Sequence, residues 1–532
     1  MRGDLEWGSI PGLLASSVAR FPDNPAVVDE GVAWTFADLA DQVDVAARAL
    51  IARGTVAGDR VAIWAPNIPE WIVAALATHS VGATLVPMNT RYKGREAAYI
   101  LRASGAKLLF TVTGFLGTDY VDLLRDGEGG ALQDLETIIL LRGDAVGAMG
   151  WADFLDASAA VSTDELEQRR KQVGPDDVSD IMFTSGTTGH PKGVVSTHGQ
   201  SLRTFEVWSR LVGLNANDRY LVVNPFFHTF GYKAGFLSAI MRGAVTIPHA
   251  VFDADAVLRR IGAEQVTMLP GPPALYQSIL NHPELDQHDI SSLRLAVTGA
   301  ATIPVSLIEQ MRDRLGFDTV LTAYGLTEAT GVVTMCREGD DPVTIATTSG
   351  CAIEGVEVRT VDAAGSPTPP GDPGEVVVRG FNVMREYLDD PEQTAAAVDA
   401  QGWLHTGDIG VLDARGYLDI TDRLKDMFIV GGFNAYPAEI ENELVAHPAI
   451  SQAAVVGMPD QRLGEVGCAF VIAAAGTGVD EDEVRTWARE RMANFKVPRR
   501  VVVMEALPAN ASGKVLKNEL RQQAATLADG GA

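Results

Sequence analysis

Short apolar runs of strand length alternate with segments of helical period through residues 1–335, and this rhythm restricts the fold more than any other feature of the chain. Residues 36–53 carry apolar side chains at helical spacing and stop at Gly54. Arg60-Val-Ala-Ile-Trp-Ala then reads as a buried strand ahead of Pro66, and Gly82-Ala-Thr-Leu-Val-Pro repeats the form. Further strand-length runs lie at 220–223, 266–269, 295–298 and 319–322, each leading into a loop rich in Gly or Pro. Strands alternating with helices imply parallel sheets covered by helices. In open α/β sheets, ligand chemistry gathers at the loops that follow strand C-termini.

From about residue 350 to 420 the pattern turns β-rich with tight turns, as in Gly365-Ser-Pro-Thr-Pro-Pro-Gly-Asp-Pro-Gly374. Asp422-Arg-Leu-Lys-Asp426 then opens a separate C-terminal unit. Its pattern predicts a helix over 438–446, strands over 452–457 and 468–473, a helix over 481–492, a basic stretch, and a final loop and helix. The expected fold class is α/β: a large N-terminal domain of mixed and parallel sheets flanked by helices, with a β-rich subdomain, followed by a small α+β domain.

The 532 residues carry a net charge of −26, which makes the chain a poor binder of nucleic-acid backbone. An anionic substrate must be held by local features against that field. The region 485–521 departs from the trend, with nine Lys or Arg against three Glu, and is the place to look for a polyanion contact. Cys336, Cys351 and Cys468 are widely spaced and form no CxxC pair, which argues against a disulfide framework or a zinc ribbon and fits a reducing cytoplasm. The N-terminal MRGDLEWGSIPG has no apolar h-region and reads as no signal peptide. The apolar stretch 71–88 is broken by Thr78, His79, Ser80 and Gly82 and reads as helix, stop and strand rather than a transmembrane span.

The densest chemical signal is Thr184-Ser-Gly-Thr-Thr-Gly-His-Pro-Lys-Gly193, after the apolar Ile181-Met-Phe183. Glycines let backbone N–H groups converge on an anion, hydroxyls add donors, and Lys192 adds a compact positive charge. The sum is a triphosphate cradle. It is not a Walker A loop, because the lysine follows Pro191 and precedes Gly193. Downstream, Glu328 is a single carboxylate in a short polar loop after an apolar strand, the kind of hard oxygen donor that suits Mg²⁺ beside substrate phosphates. Asp408 follows Thr406-Gly407 at a turn, and a carboxylate there can accept both hydrogen bonds of a ribose diol.

The 184–193 loop resembles the signature loop of the adenylate-forming superfamily, which includes acyl- and aryl-CoA synthetases. Four more motifs follow in the family's order: Tyr324-Gly-Leu-Thr-Glu328, Trp403-Leu-His-Thr-Gly-Asp408, Asp422-Arg-Leu-Lys-Asp426 and Asn510-Ala-Ser-Gly-Lys514. The resemblance implies ATP, Mg²⁺ and CoA as reactants or cofactor, and a carboxylic acid as substrate. It implies that Thr184, Ser185, Gly186, Thr187, Thr188 and Gly189 hold phosphates with Lys192. Adenine would lie between Tyr324-Gly325 and Gly299-Ala300-Ala301, with Thr327 on a phosphate oxygen. Asp408 would hold the ribose and Arg423 the same ribose or the α-phosphate, with Glu328 on the metal. Lys514 would contact the reacting carboxylate and the α-phosphate, and His228 would gate the acyl pocket. The division it implies is 1–422, a hinge at 423–426 pivoting on Lys425, and a mobile domain over 427–532. After rotation of that domain, Gly431, Gly432 and Phe433 would line the CoA tunnel, and the basic stretch around Arg499 and Arg500 would meet CoA phosphates.

The acyl pocket expected on this basis comprises Phe227, Phe230, Tyr232, Lys233, Gly271, Pro272 and Thr330. The wording of 225–233, 269–273 and 297–301 resembles the actinobacterial branch of CoA ligases acting on the bicyclic indanedione propanoate of steroid degradation. On that reading Lys233 or Tyr232 would donate to a ring ketone. Alternatives are a medium-chain fatty-acyl or aryl-CoA ligase, an amino-acid adenylation domain, a luciferase-like oxygenase and a non-enzymatic nucleotide-binding module. No Asp or Glu lies between Asn224 and Ile240 to pair a substrate ammonium, which counts against an amino acid. A homodimer is compatible with the sequence.

Overall fold

A computed structural model describes residues 2–126, 132–184, 191–299, 303–423, 426–430, 433–460, 463–492, 494–510 and 515–529. The expected helix over 36–53 is Phe36–Ala52, opened by a reciprocal cap between Thr35 and Asp38 and closed ahead of Gly54 at φ +84°. The stretch 71–88 divides as expected: helix Pro69–Ser80, Gly82 at φ +75°, then strand Thr84–Pro87.

Around these elements an eight-stranded sheet forms. Its parallel part runs outward from Arg60–Trp64, between Thr84–Pro87 and Leu108–Val112. Val178–Thr184 joins parallel to Thr84–Pro87, and Lys192–Thr197 folds back antiparallel on it. This hairpin brings Thr184 and Lys192 opposite each other at the C-terminal end of the 178–184 strand. The strand Glu386–Tyr387 then pairs with Lys192–Thr197, bringing a segment some two hundred residues distant against the same strand.

Two further four-stranded sheets contain Arg219–Val222 and Leu295–Thr298. The expected strand over 266–269 pairs only through Met268, which bridges Tyr220 and Leu295 and so links the two sheets. The β-rich region is an antiparallel sheet of Val356–Val361, Pro373–Gly380, Leu404–Leu412 and Leu418–Arg423. In the C-terminal unit the helices are Pro437–Val445 and Glu481–Arg491, and the strands Ile450–Asp460 and Gly464–Ala473 outrun the expected 452–457 and 468–473. Two elements there carry no sign in the sequence pattern. They are the short hairpin Phe428–Val430/Phe433–Ala435 and the strand Arg500–Val503, parallel to Gly464–Ala473.

The largest buried apolar cluster runs from Trp7 to Leu418 and the next from Phe428 to Ala524. The two cores divide between Leu418 and Phe428. Cys336, Cys351 and Cys468 are free thiols. Among the described residues, no helix is long and apolar enough to cross a membrane.

Candidate active site

Thr184 and Lys192 face each other across the 178–184/192–197 hairpin, so both ends of the Gly- and hydroxyl-rich loop are fixed by strand pairing. Lys192 Nζ donates to Gln393 Oε1 at 2.5 Å and lies 5.0 Å from the centre of the Tyr387 ring. The Tyr387 hydroxyl donates to Glu328 Oε1 at 3.0 Å, and Thr184 Oγ1 approaches the same oxygen at 3.5 Å. Burial and then the Glu328 carboxylate push the Tyr387 phenol pKa up, so the group stays protonated and acts as a donor. Lys192, Tyr387, Glu328 and Thr184 thus form one linked constellation at the loop.

The loop that carries Glu328 is held by backbone geometry. A Cβ on Gly325 would lie 2.1 Å from the Gly331 carbonyl oxygen, so only glycine fits the crossing. Thr330 is left-handed at φ +54° and Gly331 follows at φ +92°. Fully buried Asn382 buttresses this strained turn: its Nδ2 donates to Val332 O at 2.8 Å, and its backbone carbonyl accepts from Thr330 Oγ1 at 2.7 Å. Met384 N–H donates to Glu328 O at 2.7 Å.

At the end of the strand Thr319–Tyr324, the Tyr324 hydroxyl donates to Asp408 Oδ2 at 2.6 Å. Asp408 is buried, and its N–H donates to Thr406 Oγ1 at 3.1 Å. Its backbone pairs with Arg423 across the strands Leu404–Leu412 and Leu418–Arg423. The expected adenine and ribose residues Tyr324 and Asp408 are therefore neighbours although 84 residues apart.

His228 caps the three-residue helix Thr229–Gly231, its Nδ1 accepting from Phe230 N–H at 3.2 Å. Solvent reaches the ring, and the desolvation its neighbours impose shifts its pKa downward. The neutral imidazole therefore carries its proton on Nε2. Phe227 and Phe230 are half-buried beside it, and Phe230 meets Trp208 edge-on at 6.0 Å. Gly271 is buried and Pro272 half-buried.

Three of the expected acyl-pocket contacts are corrected. Lys233 is 1% exposed and its Nζ meets Asp180 Oδ1 at 2.9 Å, Asp180 itself being fully buried. The ammonium is committed to that carboxylate, because a buried unpaired charge is far costlier than a paired one. The Tyr232 hydroxyl is bonded to His79 Nε2 at 2.7 Å in the core, and the Thr330 hydroxyl is bonded to the Asn382 carbonyl. The basic stretch is also less open than its charge implies: Arg485, Arg491, Arg500, Lys517 and Arg521 pair with Asp482, Glu490, Glu481, Glu441 and Asp426. Arg499 and Arg500 are both exposed.

Ser185, Gly186, Thr187, Thr188, Gly189, Ala300, Ala301, Lys425, Gly431, Gly432 and Lys514 lie outside the described residues, and Arg423 and Phe433 are placed by backbone alone. Tyr387, Gln393 and Asn382 carry no motif signal; strand pairing at Glu386–Tyr387 is what brings them to the site.

One carboxylate, Glu328, with the Thr184 hydroxyl beside it fits Mg²⁺, which commonly takes one or two protein carboxylates and completes its shell with phosphate oxygens and water. Among the described residues, the grouping of three His, Cys, Asp or Glu donors is Asp255, Glu284 and His288, none of which belongs to this constellation.

A family model described as AMP-binding enzyme matches residues 14–388, and one described as AMP-binding enzyme C-terminal domain matches residues 439–514. The chain is 51% identical over 518 residues to a (7a-methyl-1,5-dioxo-octahydroinden-4-yl)propanoyl:CoA ligase of Rhodococcus jostii, covering 96% of this chain and 98% of the relative. It is 51% identical over 514 residues to the ligase of the same description from Mycobacterium tuberculosis, covering 97% and 98%. Among solved structures it is similar to the anthranilate CoA ligase AuaEII in complex with anthranoyl-AMP, with TM-score 0.89 and 28% identity over 99% of this chain and 100% of that one.

Proposed function

The chain belongs to the AMP-binding enzyme family, and we propose that within it the protein is an ATP-dependent acyl-CoA ligase for a bicyclic, ketone-bearing propanoate. The observation that carries the reading is the meeting of Thr184, Lys192, Glu328 and Tyr387 at one loop, with Tyr324 and Asp408 joined nearby for a nucleoside. The names of the 51% identical relatives support the choice of acid.

A carboxylate is a poor electrophile toward a thiol, since its charge is delocalised and its leaving group would be oxide. In the first step a carboxylate oxygen attacks the α-phosphorus of ATP, the bond to the β-phosphate oxygen breaks, and acyl-adenylate and pyrophosphate result. In the second, CoA thiol attacks the acyl carbon and the C–O bond to AMP breaks. The thiol proton is released to solvent water, so the step yields thioester, AMP and one proton.

The protein's part is positioning and charge neutralisation. Lys192, released from Gln393, faces the polyphosphate. Glu328 would hold Mg²⁺, whose charge offsets that of the phosphates. Tyr324 presents a ring to adenine and Asp408 accepts from the ribose. His228, neutral, stands at the acyl side as a gate. Lys514 is proposed to neutralise the reacting oxygens, and the C-terminal domain to turn about Lys425 so that Gly431, Gly432 and Phe433 admit the pantetheine arm. Arg499 and Arg500 are proposed to meet CoA phosphates. The three free thiols support a reducing, cytoplasmic setting.

The test is acid-dependent pyrophosphate release across fatty, aryl and bicyclic keto acids. The bicyclic propanoate is expected to give the highest kcat/KM. Faster turnover of octanoate would overturn the choice of acid, and no acid-dependent release from any of them would overturn the reaction class.

A further inference from the structure

The buried Asp180–Lys233 pair joins the strand that feeds the phosphate loop to the helix that follows the gate. Along Val178–Thr184 the side chains of residues 180, 182 and 184 share one face, each step spanning roughly 6.6 Å. Asp180 holds Lys233, the Met182 sulfur accepts from Thr229 Oγ1 at 3.2 Å, and Thr184 reaches Glu328. One face of one strand therefore touches the gate helix twice and the candidate metal carboxylate once. A register shift between Val178 and Asp180 re-aims the strand here, and the Ser179 hydroxyl donates to Asp180 Oδ2 at 2.7 Å.

On the helix side, the His228 carbonyl accepts from Tyr232 N–H at 2.9 Å, so the backbone ties the gate residue directly to the start of the turn. Tyr232–Leu237 is a π-helical turn broken at Gly235, whose ψ is −110°. Such turns are rare and recur at functional sites. Two consecutive residues pin it in different directions: Tyr232 to His79 on the helix Pro69–Ser80, and Lys233 to Asp180 on the strand. Phe236 packs the turn against Trp71 and Phe226 without fixing a direction, and the two polar contacts on adjacent residues add the directional constraint on its rotation.

We infer that Asp180 and Lys233 are a positioning pair that sets the rotation of the gate helix, and with it His228 and Phe230, against the strand carrying Thr184, and so determine which acids are accepted. The inference deepens the proposed function and rests on it for its kinetic readout. Neither residue touches the reacting atoms; they act through His228 and Phe230.

The experiment replaces the pair as a unit, Lys233→Met with Asp180→Leu, because exchanging a buried ion pair for apolar groups of similar size preserves folding, whereas removing one partner strands a charge. Ser179 keeps the Ser196 carbonyl as acceptor. The expected result is an unchanged or higher urea midpoint, a kcat/KM for the acid lowered at least about tenfold, and a KM for ATP within about twofold of the parent. The preference for the bicyclic acid over octanoate shrinks, and amide hydrogen exchange over 228–237 in the ligand-free protein rises. Acid selectivity and exchange both matching the parent in a folded double variant would overturn the inference. Should the double variant not fold, Lys233→Arg keeps the charge but displaces the turn. A raised KM for the acid with ATP unmoved then supports the pair, and an unmoved acid KM refutes it. Parent protein inactive on every acid would count against the proposed function, leaving the exchange comparison to decide the pair.

Discussion

Asp408→Asn tests the nucleoside half of the site with a substrate edit as its partner. Asp408 is buried at 5% exposure and receives the Tyr324 hydroxyl at 2.6 Å, so its carboxylate is presented by a rigid strand pair rather than a loop tip. A hydrogen bond to a charged acceptor contributes about 1.5–3 kcal/mol, and an amide oxygen forfeits much of that. The expected loss in kcat/KM for ATP is therefore roughly 10- to 150-fold, with the KM for the acid little changed. The cycle is closed with 2′-deoxy-ATP, which lacks one of the two hydroxyls. The parent should lose on the deoxy substrate, and Asp408→Asn should lose markedly less, because the deleted hydroxyl and the deleted charge are the same contact. Initial rates of pyrophosphate release at saturating acid give all four corners. If the variant depresses ATP and 2′-deoxy-ATP equally, the carboxylate does not meet the ribose and the placement of the nucleoside is wrong.

Three further outcomes follow from particular contacts. Gly325→Ala forces a Cβ to within 2.1 Å of the Gly331 carbonyl oxygen, so the loop holding Glu328 must shift; we expect a stability loss of about 1–3 kcal/mol in urea titrations and a larger fractional loss of adenylation activity. His198 is buried with its pKa lowered to about 4, while the unfolded ring titrates near 6.5. The folded state thus binds fewer protons below pH 6.5, and stability present at pH 7 is lost as the pH falls, by about 3 kcal/mol at pH 4. His198→Asn keeps an acceptor for Ile10 N–H but cannot titrate, so its urea midpoint should fall less steeply between pH 6.5 and 4 than the parent's; parallel profiles would refute the assignment. Arg499→Ala with Arg500→Ala should raise the KM for CoA several-fold, on the order of the loss of two screened phosphate contacts, and leave that for ATP unmoved; an unmoved CoA KM removes these residues from the CoA site.

The sequence was most readable where function and local physics coincide. The 36–53 helix is legible in its period and terminal glycine, and the strand 295–298 is legible to the residue because an apolar run of that length between polar loops has few other structures open to it. Thr184, Lys192, Glu328, Tyr324 and Asp408 stood in motifs with distinctive residue chemistry, and the fold brings them together in two linked groups. What escaped depends on long-range pairing. Tyr387 and Gln393 reach Lys192 because a two-residue strand pairs with Lys192–Thr197, and nothing local to 386–393 says so. Lys233 misled for the converse reason: a lysine among aromatics near a gate looks available to a ligand, and only the fold reveals Asp180, 53 residues earlier, as its counter-ion.

The most direct test of the two-step reaction is a single turnover with ATP, Mg²⁺ and the bicyclic acid, without CoA, quenched and read by mass. We expect one equivalent of acyl-adenylate with pyrophosphate, slowed by Lys192→Ala or Lys514→Ala, and its conversion to thioester and AMP when CoA is added. ADP and phosphate as products, or thioester formed with no adenylate at any time point and no slowing in either lysine variant, would contradict it.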